Sequence, residues 1–352
     1  MTTNFLTTAI GSMPFDDAQK AVDLSLASLD APIWPQLPRF GLFEQMEIQY
    51  SEGIPCVVVD TEKSRMFFQT DTDYSEDFAN FYEQYMIAMD PDEGDGDCSG
   101  MAIGEGYSRG VYALEKALAG KKLPWLKVQT TGPCSFALTI VDENKRAIYY
   151  NEEFRDVIVK AMAMKCRWQL QKFAPFADKL ICFIDEPILS AFGSSTYVSV
   201  KREDVVAILA EVIEAVHAEN ALAGIHCCGN TEWSILIDAG VDIVNFDAFS
   251  YGETIAMYAD SVKGHLERGG MLAWGVVPTS AAIREQTVET LEAQLEKVMD
   301  HLAAQGIDKD LIIRQAILTP SCGTGSLDPA DAERVFALLP ALAKRMKVKY
   351  GV

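Results

Sequence analysis

The most reactive side chains in this chain gather at the ends of three apolar runs. His226, Cys227, Cys228, Gly229 and Asn230 close one run, Asn245, Phe246 and Asp247 close the next, and Pro320, Ser321, Cys322 and Gly323 close the last. Successive side chains on a strand alternate faces, so His226 and Cys228 point one way and Cys227 the other. One imidazole, two thiols and a carboxylate suit a tetrahedral zinc ion, whereas calcium and magnesium do not choose thiolates. The expected ligands are His226, Cys228, Asp247 and Cys322. The bland alternative is a core histidine with packed cysteines; Cys322, in a Gly-flanked turn far along the chain, is what favours the metal.

Such residues converge only if their strands do. Eight β-rich runs recur, at 5–11, 56–60, 126–132, 180–187, 223–229, 241–247, 271–277 and 311–321, with helical stretches between the later ones. The segment 203–219 sets Val206, Leu209, Ala210 and Ile213 at helical spacing. Strand and helix alternating eight times fit an α/β fold, a single (β/α)8 TIM barrel over 1–352, with a doubly wound sheet as the alternative. The barrel is favoured because Ser12, Asp60, Thr131, Asp185, Cys228, Asp247 and Cys322 all fall at carboxyl ends of runs, where barrels place their chemistry. The long connections at 13–55 and 61–125 are expected to cap the mouth after the first and second strands. The acidic stretch 90–97 is not a usual calcium loop, since the position needing a bidentate Glu is Met101.

Composition excludes several partners. The 352 residues carry 51 acidic and 30 basic side chains, a formal charge of −21, with 49% apolar residues. So acidic a surface repels nucleic acid and anionic lipid. No apolar run reaches the roughly 18 residues of a membrane span, and the start lacks a basic region before an apolar stretch, so a cytoplasmic protein is expected. Eight scattered cysteines suit a reducing compartment; Cys56, Cys134, Cys166 and Cys182 read as packing thiols.

Four short motifs occur in order along the chain: Ile10-Gly11-Ser12-Met13-Pro14, Ile184-Asp185-Glu186-Pro187, His226-x-Cys228 and Pro320-x-Cys322-Gly323. Together they resemble the catalytic barrel of cobalamin-independent methionine synthase, within the group that includes uroporphyrinogen decarboxylase and the corrinoid:thiol methyltransferases. The resemblance implies that His226, Cys228 and Cys322 bind zinc, with Asp247 where the family has Glu. It implies that Gly11 and Ser12 hold an amino-acid carboxylate, that Asp185 holds the ammonium group, and that Thr130 to Pro133 line the pocket. Asp60 and Glu62 are candidates for a further acidic residue of that pocket.

Zinc binding turns a substrate thiol, otherwise mostly protonated at neutral pH, into thiolate. With that chemistry, the resemblance implies methyl transfer to the thiol of homocysteine to form methionine, the thiol replacing Asp247 or a water. The family's long form resembles two barrels in tandem, and the length of one barrel here implies a methylcorrinoid donor, carried by a corrinoid protein partner, over a folate. Two alternatives stay open. One is transfer to coenzyme M or another thiol; the other is a decarboxylase-like protein, for which the scattered Arg39, Arg65 and Arg109 offer few cations.

Overall fold

The computed structural model describes residues 2–89 and 96–352, so residues 90–95 of the acidic stretch lie outside the described residues. In chain order the strands are β1 (Leu6–Thr7), β2 (Val57–Asp60), β3 (Arg65–Phe68), β4 (Leu123–Thr131), β5 (Val141–Asp142), β6 (Ala177–Asp185), β7 (Leu222–Cys227), β8 (Ile243–Phe246), β9 (Met271–Val277) and β10 (Ala316–Pro320). Seven of them form one parallel sheet in the order β1-β10-β9-β8-β7-β6-β4. Parallel neighbours need crossover connections, and the helices between them pack on the outside of the sheet. The result is an α/β, barrel-like fold.

The two free edges, β1 and β4, are bridged by a segment within the first long connection, which the sequence alone marks as a capping loop. Gln36 makes a parallel bridge to Ser12 beyond β1, and Ile33 makes one to Lys127 on β4. The amide of Ala31 donates to Thr7 O and that of Lys127 to Pro32 O, both at 2.9 Å. Pro32 and Pro35 lack amide protons and cannot carry a regular ladder, which leaves isolated bridges in place of a strand. Buried side chains fasten it instead. Tyr50 Oη donates to Gln129 O at 2.8 Å, Gln129 Nε2 to Trp34 O at 2.9 Å, and Trp34 Nε1 to Gln169 Oε1 at 2.8 Å.

The run 56–60 therefore does not supply the second barrel strand. It becomes β2, which pairs antiparallel with β3 in a hairpin, and β3 pairs with β5 in a separate three-stranded sheet. The stretch 311–321 also divides: Lys309–Arg314 is a helix and only Ala316–Pro320 is strand. The helix expected at 203–219 runs from Arg202 to Ala218; of the expected face Leu209 and Ile213 are buried, Val206 and Ala210 are half-buried, and Val205, Ile208, Val212, Ala215 and Val216 complete the core side.

The interior of the curled sheet is layered. Leu6, Ile10, Ala31, Ile181, Phe183, Ile243, Met271, Ala273 and Ile317 form an apolar cluster of their own, separate from the outer core. Towards the carboxyl ends of the strands, buried polar groups replace it, among them Gln129, Asp185, His226, Asn245, Thr319 and Ser321. Lys127 is wholly buried at the junction, its Nζ donating to Ile10 O at 2.6 Å and Gln129 Oε1 at 3.1 Å and lying 4.5 Å from the centre of the Phe183 ring. No helix among the described residues is long and apolar enough to cross a membrane.

Candidate metal centre

At the polar end of the interior, His226, Cys228 and Cys322 each present a ligand atom, and the three atoms lie within 4.8 Å of one another. His226 is the penultimate residue of β7, paired in register with Asp185 of β6 and Asn245 of β8. Cys228 follows one residue past the strand, while Cys227 turns into the core. Cys322 comes two residues after β10, in a turn packed closely on Ser12: a Cβ on Gly323 would sit 2.1 Å from Ser12 Oγ, which would have to move. The alternation expected at His226 to Cys228 thus holds.

The imidazole is oriented by its neighbour. Asn245 Nδ2 donates to Ala273 O at 2.8 Å and Thr319 Oγ1 at 2.9 Å, which leaves Asn245 Oδ1 to accept from His226 Nδ1 at 2.5 Å. That bond sets the proton on Nδ1 and frees the Nε2 lone pair. Nε2 is buried without a partner, an orphan that a metal ion would satisfy. The two sulfurs are as suggestive. Hydrogen bonding between them pulls the Cys228 thiol down and pushes that of Cys322 up, so one thiolate is favoured already and a cation would favour both. Soft sulfur with one imidazole fits zinc. Removing the orienting partner should weaken the site without touching a ligand: Asn245→Ala is expected to lower zinc affinity about 10- to 100-fold in chelator competition.

Asp247 does not join this group. Its Oδ1 accepts from the amide of Ser250 at 2.8 Å and caps the short helix Ala248–Tyr251, and it is absent from the three-residue cluster. A carboxylate placed one residue after β8 is near the mouth by sequence, but its side chain satisfies a helix N-terminus instead. Among the described residues, the protein ligands brought together number three.

The cluster opens on a cavity of about 450 Å³ lined by Ile10, Ser12, Gln36, Pro38, Glu44, Gln45, Met46, Asp185, Pro187, His226, Cys228, Cys322, Gly323, Gly325 and Ser326. Asp185 is 5% exposed, its Oδ1 has no partner, and burial pushes its carboxyl up to about 6, with the charge of Lys127 opposing. Ser12 lines the wall, its Oγ accepting from the amide of Gly325 at 3.2 Å and its carbonyl from Thr324. Gly11 lies beneath, where a Cβ would come within 2.2 Å of Gln36 Oε1. Thr130, Thr131 and Pro133 are buried but do not line the cavity.

Neighbouring Glu186 has a different task from Asp185. It accepts from the amides of Cys134 at 2.9 Å and Ser135 at 2.7 Å and from Ser135 Oγ at 2.7 Å, holding the N-terminus of the helix Pro133–Thr139. Burial nonetheless raises its carboxyl to about 7.

Sequence reasoning missed Glu44. It ends a single 3-10 turn, Leu42–Glu44, in the Pro-rich stretch after the 31–36 segment, and is 2% exposed. Its Oε1 accepts from Arg109, while Oε2 is buried without a partner. Burial raises this carboxyl as well, outweighing the Arg109 contacts that lower it. The candidates Asp60 and Glu62 do not line the cavity; Asp60 sits in the β2–β3 hairpin, 3.3 Å from Arg65 Nε. Nor does any described residue of 61–125 line it, so the first long connection, through Pro38 to Met46, covers the mouth.

No family model and no curated protein matches the chain. Among solved structures, the chain is similar to a methyltransferase from Methanosarcina mazei, with TM-score 0.55 and 14% identity over 97% of this chain and 94% of that one. It is also similar to a B12-independent methionine synthase from Shewanella sp. W3-18-1, solved in complex with selenomethionine, with TM-score 0.55 and 12% identity over 99% of both chains. At such identities the likeness is one of fold, and it extends over nearly the whole chain.

Proposed function

We propose that the protein is a zinc-dependent methyltransferase that moves a methyl group, from a methylcorrinoid, to the thiol of homocysteine to form methionine. The observation that carries this reading is the three-ligand cluster at one wall of a cavity whose other walls present two buried carboxylates with unpartnered oxygens. Three protein ligands leave a fourth position, the mark of a catalytic rather than a structural site. A bound zinc ion would supply the means to keep a substrate thiol as thiolate at neutral pH.

The chain's own residues select the rest of the substrate. Asp185 and Glu44 provide negative charge for an ammonium group, and Ser12, whose hydroxyl accepts from the Gly325 amide and keeps its own proton to donate, provides a polar wall for a carboxylate. Among the described residues no Lys or Arg lines the cavity, which disfavours an anionic thiol such as coenzyme M and a substrate with many carboxylates. The expected cations are engaged elsewhere, Arg39 with Leu327 O, Arg65 with Asp60 and Arg109 with Glu44. The names of the two similar structures support methyl transfer, and the selenomethionine bound by one of them is an analogue of the product proposed here.

In the transfer itself the sulfur attacks the methyl carbon, the carbon–donor bond breaks with its electron pair leaving on the donor, and the thiol proton is released. Ile10, Pro38, Met46 and Pro187 give the cavity an apolar side that keeps water from the sulfur. The test is incubation of zinc-loaded protein with homocysteine and either methylcobalamin or methyltetrahydrofolate. Methionine formed with loss of the methylcobalamin spectrum supports the proposal. Methionine from the folate alone would overturn the donor, and none from either donor or from a methylated corrinoid protein would overturn the reaction.

A further inference from the structure

We propose that Arg109, which lies outside the cavity, is a positioning residue for its ammonium-binding end: by engaging one oxygen of Glu44 it leaves the other facing inward for the substrate. The inference rests on the amino-acid thiol reading above and goes on to say what makes the site selective.

Arg109 holds Glu44 through a single oxygen. Arg109 Nη1 donates to Glu44 Oε1 at 3.0 Å, and the Arg109 amide donates to the same oxygen at 3.2 Å. The second contact is a helix cap. Arg109 opens the helix Arg109–Ala117, whose preceding residue Ser108 makes no side-chain capping bond and whose Oγ is itself without a partner. The guanidinium also lies 4.6 Å from the centre of the Phe40 ring, so it grips the same covering segment at two points. This helix start is pressed against the 31–36 segment, since a Cβ on Gly110 would fall 1.8 Å from Pro35 O. The donor pair is thus fixed to the fold, while Oε2, with no partner of its own, belongs to a residue lining the cavity.

Without Arg109, a carboxyl that burial already pushes towards its neutral form would keep only backbone donors. It would be free to rotate or to take up a proton, and either change removes the charge an ammonium group needs. Arg109 is 43% exposed and lines no part of the cavity, so it acts through Glu44 and not on the substrate.

The test is calorimetric binding to zinc-loaded protein of homocysteine and of 4-mercaptobutanoate, which lacks only the amine. Wild type should bind homocysteine more tightly. Arg109→Met should weaken homocysteine about tenfold while leaving 4-mercaptobutanoate and zinc content unchanged. Arg109→Lys, which keeps a point charge but loses the planar fork, should fall between the two. In a Glu44→Gln background, Arg109→Met should add no further loss. Equal weakening of both thiols, wild-type selectivity in Arg109→Met, or additive losses in the double variant would each overturn the inference while leaving the amino-acid reading intact. A wild type that binds the two thiols equally would overturn that reading first.

Discussion

Cys322→Ser is expected to take bound zinc from about one ion per chain to nearly none after dialysis, and methyl transfer with it, by a factor of about 1,000 or more. The magnitude follows from the donor set. Only three side chains among the described residues converge here, and Cys322 reaches the cluster from the end of β10, beyond β8 and β9 from the His226 and Cys228 strand in the sheet order. Serine offers a weaker, harder ligand in the same space. Asp247 lies outside the cluster, with its Oδ1 capping the helix at Ser250, so it is not placed to make up the lost ligand. Elemental analysis of the folded variant checks this, with melting temperature as the control; a well-folded variant that keeps a full complement of zinc would remove Cys322 from the site. The same assay on Asp247→Asn should show zinc retained, which separates the three-residue account from the four-ligand expectation.

The second large effect concerns selection of the acceptor. Asp185→Asn should lower kcat/KM for homocysteine about 100-fold, or about 2.7 kcal/mol, because one buried counter-charge for the ammonium is lost. Transfer to 4-mercaptobutanoate, which has no amine, should change less than about threefold. The carboxylate is 5% exposed and has an oxygen with no protein partner, so its desolvation is already met by the fold and its attraction is available to the ligand. Parallel losses for both thiols would mean that Asp185 supports the cluster and not the amine.

Much of this arrangement is legible in the amino-acid sequence. The runs that form β6 to β9 are continuous, β-rich and bounded by turns, and buried parallel strands look like that. His226-x-Cys228 and Cys322 stand at strand ends, where the alternation of side chains fixes their direction. Where sequence and fold part, local pattern competes with tertiary context. Val57 to Asp60 has the composition of a core strand, yet it lies in a hairpin against β3, because the 31–36 segment occupies the space between β1 and β4. That segment is hidden by Pro32 and Pro35, which break both the hydrophobic period and the ladder while a side-chain network fastens it. Glu44 carries no motif at all, and only the fold shows a buried carboxylate with an oxygen to spare. Asp247 is the opposite case, a motif-like residue that lies outside the cluster. A carboxylate just after a strand fits a ligand and a helix cap equally well in sequence, and here the helix takes it.

The proposed chemistry requires that His226, Cys228 and Cys322 hold a zinc ion with a position left for the substrate's sulfur. Zinc X-ray absorption on the loaded protein, recorded without and with homocysteine, tests this most directly. The expected first shell has two sulfurs and imidazole nitrogen and gains a third sulfur when the thiol is added. A four-ligand shell that homocysteine leaves unchanged, or a shell with no sulfur, would contradict it.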